Sequence, residues 1–379
     1  MDLTASGVRV ATRTKHASAG LPAACTVLGG SVISLVGLTW DVQWHSDVGP
    51  DTFFTLPHLF LYSGSAIVGL ASLVVVLLTT AAQRAGRPVD SSVGGRAIAV
   101  FGRTFAAPAG YLVSGIGAAA FLLYGLWDQW WHGLYGFDAV IDSPPHIGLL
   151  LSITLSIIGT TMVFAAARRH RWGRYGVVFS LGVLIAFSSI TVLGLQQVDA
   201  GPVEPITVAT ALLSVLLATA GAAFLRRPGG AAGVAAVLAV LQAVFWWFSP
   251  WAAHAYADLV GLPVRDYVNG VPEMPSLMPM ALLPVALVLE ALLLMSRRRG
   301  WHPGRVSVVA GGVGGLLVAA SMPLQTSLMY GVGVDAAALA ATAVAGGVFG
   351  LLGGFAGWRF GGMLRLLAPA TDGKVRTDA

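Results

Sequence analysis

Charge interrupts this chain so rarely that most of it can fold only inside a bilayer. Ten stretches stand out: 21–45, 57–82, 105–132, 145–167, 175–198, 205–225, 229–254, 274–296, 306–330 and 336–358. Most run for roughly 20 residues or more without a charge, the length at which a helix crosses the hydrocarbon. Nothing in hydrocarbon can satisfy an open backbone, so a helix is what such a stretch must form. With 56% hydrophobic and 10% charged residues, the sequence reads as an all-α polytopic membrane protein of ten transmembrane helices in five hairpins. The stretch 274–296 is atypical, holding Glu290 and three prolines.

The basic residues set an orientation. Segments 1–20, 83–104, 168–174, 226–228, 297–305 and 359–379 hold 21 of the 22 Lys and Arg, and the alternate loops hold only Arg265. The positive-inside rule then places both termini in the cytoplasm, in a cytoplasmic membrane. The opposite face takes 12 of the 17 acidic residues. The net charge of +5 follows from topology and gives no reason to expect nucleic acid as a partner. A lone Cys25 excludes an intramolecular disulfide and a thiolate metal cluster. The basic start runs straight into the first span, so no cleavable signal is expected. The chain divides into an N-terminal tail (1–20), two motif-bearing hairpins (21–167), the remaining spans (168–358) and a C-terminal tail (359–379). The connection at 83–104 reads as a Gly/Ser/Arg-rich loop, and glycine runs such as 311–315 and 346–354 read as helix packing.

Within the first two hairpins one pattern occurs twice. Trp40-Asp41-Val42-Gln43-Trp44-His45 is followed by Gly49, Asp51 and Pro57-His58; Trp127-Asp128-Gln129-Trp130-Trp131-His132 is followed by Gly136, Asp138 and Pro145-His146. The two hairpins enter the membrane in the same sense, so the expectation is a parallel repeat about an axis along the membrane normal. Asp41 and His45 are four apart and share a helix face, as do Asp128 and His132. Pro57 and Pro145 suit the first turn of a returning helix, which would fold His58 and His146 back beside them. Two imidazoles and a carboxylate form a recurrent ligand set for copper, iron or zinc. Asp51 and Asp138 are candidates to orient a histidine, to add a ligand or to relay protons.

Weaker candidates lie elsewhere. His254 with Asp258 and Glu273 forms a third polar group, with Trp246, Trp247 and Trp251 upstream, and hairpin four reads as a degenerate relative of the first two. Glu290 is a carboxyl inside a span, where such groups are costly and often functional. Met274, Met278, Met280, Met322 and Met329 gather toward the same end and could offer thioethers to a soft metal, although methionine in a span is ordinarily packing. A plainer reading covers the motif too: the tryptophans would form an interfacial aromatic belt, and the Asp and His residues would cap the hairpin turns.

The segment Asp41-x3-His45-x12-His58 resembles the metal-binding pattern in the C subunit of copper membrane monooxygenases, the methane and ammonia oxidisers. In that family an Asp and a His on one helix and a His on the next hold a copper ion, and the resemblance implies copper ligation by Asp41, His45 and His58. The second copy, Asp128-x3-His132-x13-His146, is one residue longer. The resemblance is confined to these segments, and the chain has no cupredoxin-like soluble domain.

Four functions fit the sequence. The first is a copper- or iron-dependent oxidase or oxygenase, or a subunit of one, acting on a small or lipophilic substrate. The second is a copper or zinc transporter or metal-handling protein. The third is a b-type haem electron-transfer protein with the histidines as axial ligands. The fourth is a structural subunit with capped hairpins.

Overall fold

A computed structural model of the protein describes residues 20–136 and 141–368. Ten helical segments are long and apolar enough to cross a membrane. They are built from α1 (Leu21–Asp47), α2 (Leu56–Arg84), α3 (Ala109–Tyr135), α4 (Pro144–Ala166), α5 (Arg171–Thr191, continued by a 3-10 turn to Leu195), α6 (Pro205–Leu225), α7 (Gly230–Val260), α8 (Glu273–Leu277) with α9 (Leu282–Arg298) as one broken span, α10 (Pro303–Tyr330) and α11 (Ala336–Leu366). The protein is thus an all-helical, multi-pass membrane protein. Proline stands in the first turn of α1, α2, α4, α6 and α10, where a missing N–H costs nothing.

Hairpins α1–α2 and α3–α4 lie side by side, with α2 against α3 and α1 against α4. Small residues let the helices of each pair meet backbone to backbone. A methyl group on Gly30 would stand 2.7 Å from the Gly64 carbonyl, and one on Gly117 would stand 2.7 Å from the Ser152 carbonyl. On its other side α1 packs against α7. The glycine runs of α10 and α11 face each other: Gly311 and Gly315 lie against Gly346, Gly350 and Gly354, the close approach expected of small residues in membrane helices.

Two departures from the sequence expectation have physical causes. The 83–104 connection is more than a loop. It enters an antiparallel ribbon, β1 (Ala97–Val100) and β2 (Phe105–Pro108), so α3 begins at Ala109 rather than at 105. The ribbon docks on α2, where Ala106 N–H donates to Thr80 Oγ1 (2.9 Å) and Arg84 donates to the Thr104 carbonyl (2.7 Å). The span at 274–296 is broken between α8 and α9, which frees backbone groups in the interior. Gln242 of α7 donates to the Pro275 and Met278 carbonyls (2.8 and 3.0 Å), and Gln325 of α10 donates to those of Ser276 and Met278 (2.7 and 2.9 Å). Gln325 also accepts from Met280 N–H (2.9 Å). A broken helix is tolerated in a bilayer only where neighbours supply such partners.

Gln325→Leu should therefore leave the Ser276 carbonyl and the Met280 N–H without their Gln325 partner at the break, while Gln242 still serves the Met278 carbonyl, costing roughly 1–3 kcal/mol. Thermal unfolding in detergent should show a lowered midpoint; an unchanged midpoint would mean that the break is satisfied without Gln325.

Candidate metal centre

The last turn of α1 and the first turn of α2 meet at one end of the bundle. Asp41 and His45 project from one face of α1, and the turn that follows is fixed by its own chemistry. Trp44 Nε1 donates to the Pro50 carbonyl (2.8 Å), and Gly49 takes φ +103°, a conformation that L side chains rarely adopt. This folds Asp51 inward, and Pro57 then starts α2 so that His58 returns to the same spot. Gly136, the glycine of the second motif, likewise has positive φ (+85°).

The polar atoms converge. His58 Nε2 is 3.1 Å from Asp41 Oδ1 and 3.4 Å from Asp51 Oδ2; His45 Nε2 is 3.2 Å from Asp51 Oδ2 and 3.9 Å from Asp41 Oδ1. In the second hairpin, His132 Nε2 is 3.4 Å from Asp128 Oδ2 and His146 Nε2 is 3.3 Å from Asp128 Oδ1. One donor atom from each of Asp41, His45, Asp51 and His58 falls within 4.8 Å of the others, and the same holds for Asp128, His132 and His146. These two groups could hold a metal ion. Tetrahedral coordination with bonds of about 2.0–2.2 Å places donors roughly 3.3–3.6 Å apart, close to these separations.

The far sides of three of the four imidazoles are committed. His58 Nδ1 lies 3.0 Å from the Thr52 carbonyl and His132 Nδ1 lies 2.9 Å from the Gly136 carbonyl. A carbonyl only accepts, so Nδ1 carries the proton and a neutral ring presents its Nε2 lone pair to the carboxylates. His146 Nδ1 is held by the Ser143 hydroxyl (2.9 Å). Lone pair against carboxylate is repulsive unless the ring is protonated or a cation lies between them. Asp41 Oδ1 and Asp128 Oδ1 are buried and accept no hydrogen bond among the described residues. Nδ1 held by the protein with Nε2 turned to the centre is the usual disposition of metal-binding histidines. Asp51 lies in the turn. Burial alone would raise its carboxyl, but His45, His58 and Thr55 outweigh that and hold it below the usual carboxylate range.

Both clusters line one cavity of about 430 Å³, whose apolar wall includes Leu38, Leu61, Phe121 and Ile153. Tyr62, one turn beyond His58, stands in it with its ring 5.8 Å from that of His58 and 6.1 Å from that of Phe121.

Other candidates are placed differently. Asp138 lies outside the described residues. His254, Asp258 and Glu273 do not form a ligand group among the described residues. His254 Nε2 instead meets Asp47 Oδ2 at 2.7 Å, Asp258 is exposed, and Glu273 N–H donates to Gln43 Oε1 (3.0 Å). Glu290 accepts from Ala231 N–H (2.7 Å) and so caps the first turn of α7, at the end of the bundle opposite the clusters. Met274 and Met278 are fully buried packing residues. Trp40 and Trp44 depart from a lipid-facing belt: both are buried, against Phe248 and Tyr256 of α7. Trp127 and Trp130 are exposed on the outside of the bundle.

Sequence reasoning passes over the residues that bolt α1 in place. Asp47 also accepts from Gln43 Nε2 (3.0 Å). Arg265 donates through Nη1 to the His45 carbonyl (2.8 Å) and the Ser46 carbonyl (3.2 Å), and through its backbone N–H to the Asp47 carbonyl (2.8 Å). It satisfies the open end of α1, as a basic residue does at a helix C-terminus. As the one basic residue among the turns at this end of the bundle it was the available signal, and Tyr62 could have been found from its four-residue spacing to His58. No protein-family model, curated protein or solved structure matches the chain.

Replacing His254 with alanine should leave the Asp47 carboxylate, only 3% exposed, with Gln43 as its remaining side-chain partner. A loss of roughly 1–3 kcal/mol is expected in detergent unfolding. An unchanged unfolding midpoint would mean that Asp47 is held without His254.

Proposed function

We propose that the chain is an integral membrane metalloprotein with two Asp/His centres at its extracytoplasmic face, serving the copper- or iron-dependent oxidation of a small lipophilic substrate. The observation that carries this reading is the pair of clusters whose Nε2 atoms face buried carboxylates across one shared cavity. Asp41, His45, His58 and Asp51 would hold one ion, and Asp128, His132 and His146 a second. Copper takes first place through the resemblance of Asp41-x3-His45-x12-His58 to the copper membrane monooxygenase pattern; iron and zinc suit the same donors. A redox metal bound there would supply the activation of dioxygen.

The chain's own part would be to position and to exclude water. Thr52, Gly136 and Ser143 fix the imidazoles, while Leu38, Leu61, Phe121 and Ile153 keep the cavity apolar. Asp51, held ionised, suits a ligand better than a proton carrier. A lipophilic substrate is favoured by a second, apolar groove of about 720 Å³ between α2 and α3, which shares Tyr62 and Phe121 with the cluster cavity. Its rim residues Leu70, Leu73, Leu122 and Leu126 are all exposed on the bundle's outside, where lipid lies. A transport path gains less support. Neither Glu290 nor any methionine lines the cavity, and Glu290 is engaged as a cap. For haem, each carboxylate stands against both Nε2 atoms of its pair, where an axial ligand needs clear space.

Metal content of detergent-purified protein, measured by mass spectrometry with a visible spectrum, tests the reading. Wild type should retain about one copper or iron per cluster, and the double variant His45→Ala/His132→Ala should lose it. Absence of metal from both, after attempted reconstitution, would refute the metal centres and leave the clusters as hairpin caps.

A further inference from the structure

At the end of the bundle opposite the clusters, five arginines surround one concavity of about 270 Å³. Arg168 and Arg174 come from the α4–α5 turn and the first turn of α5, Arg226 and Arg227 follow α6, and Arg365 is near the end of α11. The remaining lining, Phe224 and Leu225, is apolar, so no carboxylate borders the concavity among the described residues. We propose that this pocket binds a phosphate group, and specifically the headgroup phosphate of an anionic membrane lipid.

Basic residues at a helix C-terminus are ordinarily explained by the open carbonyls there and by the positive-inside rule. The first of these operates here. Arg365 donates to the Phe224 carbonyl (2.6 Å), and Arg297 donates to the Arg226 carbonyl (3.3 Å). Such contacts do not exhaust the site. A guanidinium carries five N–H donors, and Arg168 Nε is buried without a partner among the described residues. Arg226 adopts a left-handed φ of +50°, a backbone position that glycine usually fills. None of the five is paired with a carboxylate among the described residues, where every ion pair involves histidine. Gathering five like charges around one hollow is repulsive unless an anion sits in it.

Geometry selects phosphate from a lipid. The pocket lies at the ends of spanning helices, at the level of the headgroups, where basic pockets between helices take anionic lipids. The planar fork of arginine matches phosphate oxygens bidentately. Beside it, and sharing Arg226, is a larger cavity of about 590 Å³ walled by Leu293, Trp358, Met363 and Leu366, which could take an acyl chain.

The test uses full-length protein stripped of lipid in neutral detergent, titrated with short-chain phosphatidylglycerol, short-chain phosphatidylcholine or inorganic phosphate. Native mass spectrometry reads occupancy. Phosphatidylglycerol should bind wild type in preference to phosphatidylcholine, and Arg168→Gln/Arg365→Gln should weaken it by about tenfold or more. A second pair, Arg174→Gln/Arg227→Gln, spares the Arg365–Phe224 contact and should weaken binding in the same direction while the protein stays folded. Arginine-dependent binding of phosphatidylglycerol without inorganic phosphate identifies a lipid; equal dependence for inorganic phosphate keeps the phosphate site and makes the free ion its source. Unchanged phosphatidylglycerol binding in both folded variants, or no binding of either anion to wild type, would overturn the proposal.

Discussion

The contact between a buried carboxylate and a histidine Nε2 whose other nitrogen is already committed governs the cluster end of this protein. A neutral imidazole donates from only one nitrogen. Once the Thr52 and Gly136 carbonyls accept hydrogen bonds from Nδ1–H, His58 and His132 face Asp41, Asp51 and Asp128 with lone pairs, unless charge is added. Removed from bulk water, that arrangement demands a positive charge at the centre, either a proton on each ring or a metal ion. The hairpin turn is where this demand is created. Trp44 and the positive φ of Gly49 set the course of the chain that carries Asp51 to its place. The turn therefore builds the donor set and closes the helix pair at once.

The two hairpins carry alike motifs in unlike surroundings. In the first, Asp47 reaches His254 on α7, Arg265 closes the end of α1, and Trp40 and Trp44 are both buried. In the second, Trp127 and Trp130 face outward, and Leu134 and Tyr135 in the last turn of α3 are exposed with them. The groups that could hold a metal ion differ as well. The first has two carboxylates within reach of its histidines, and the second has one among the described residues. A richer anionic set stabilises a higher cation charge, so the two centres would not be equivalent toward the same metal.

Much of this was legible in the sequence, for identifiable reasons. Spans are dictated by hydrocarbon thickness, and all ten lie where the uncharged stretches placed them. Asp41, His45 and His58, and likewise Asp128, His132 and His146, come together because four-residue spacing and a proline-started return are local rules. What was illegible depends on partners far away in the chain. Nothing near Gln325 shows that it serves a break 45 residues earlier. Glu290 looked like a functional intramembrane carboxyl, and only the fold reveals that it caps α7. Trp40 and Trp44 carry the composition of an interfacial belt, and burial by α7 gives them a different place. The ribbon at 97–108 was hidden because short strands of Ala, Ile, Val and Phe have no periodicity strong enough to distinguish them from loop.

Tyr62 and Phe121 tie the apolar and polar halves of the molecule together. Both border the groove between α2 and α3 and the cavity that holds the clusters, so a pair of aromatic rings stands between the groove and the clusters. An aromatic wall is apolar on the groove side, and tyrosine adds one hydroxyl that can reach a polar partner. Gly69 and Gly115, which border the groove, let α2 and α3 meet closely at its floor: a methyl group on Gly69 would stand 3.2 Å from Ala118 Cβ, and one on Gly115 3.3 Å from Ser72 Cβ. A metal centre acting only on aqueous solutes has no need of an apolar groove behind its wall. That groove, beside two groups that could hold a metal ion, is what makes this end of the bundle a candidate site for chemistry on a molecule dissolved in the membrane.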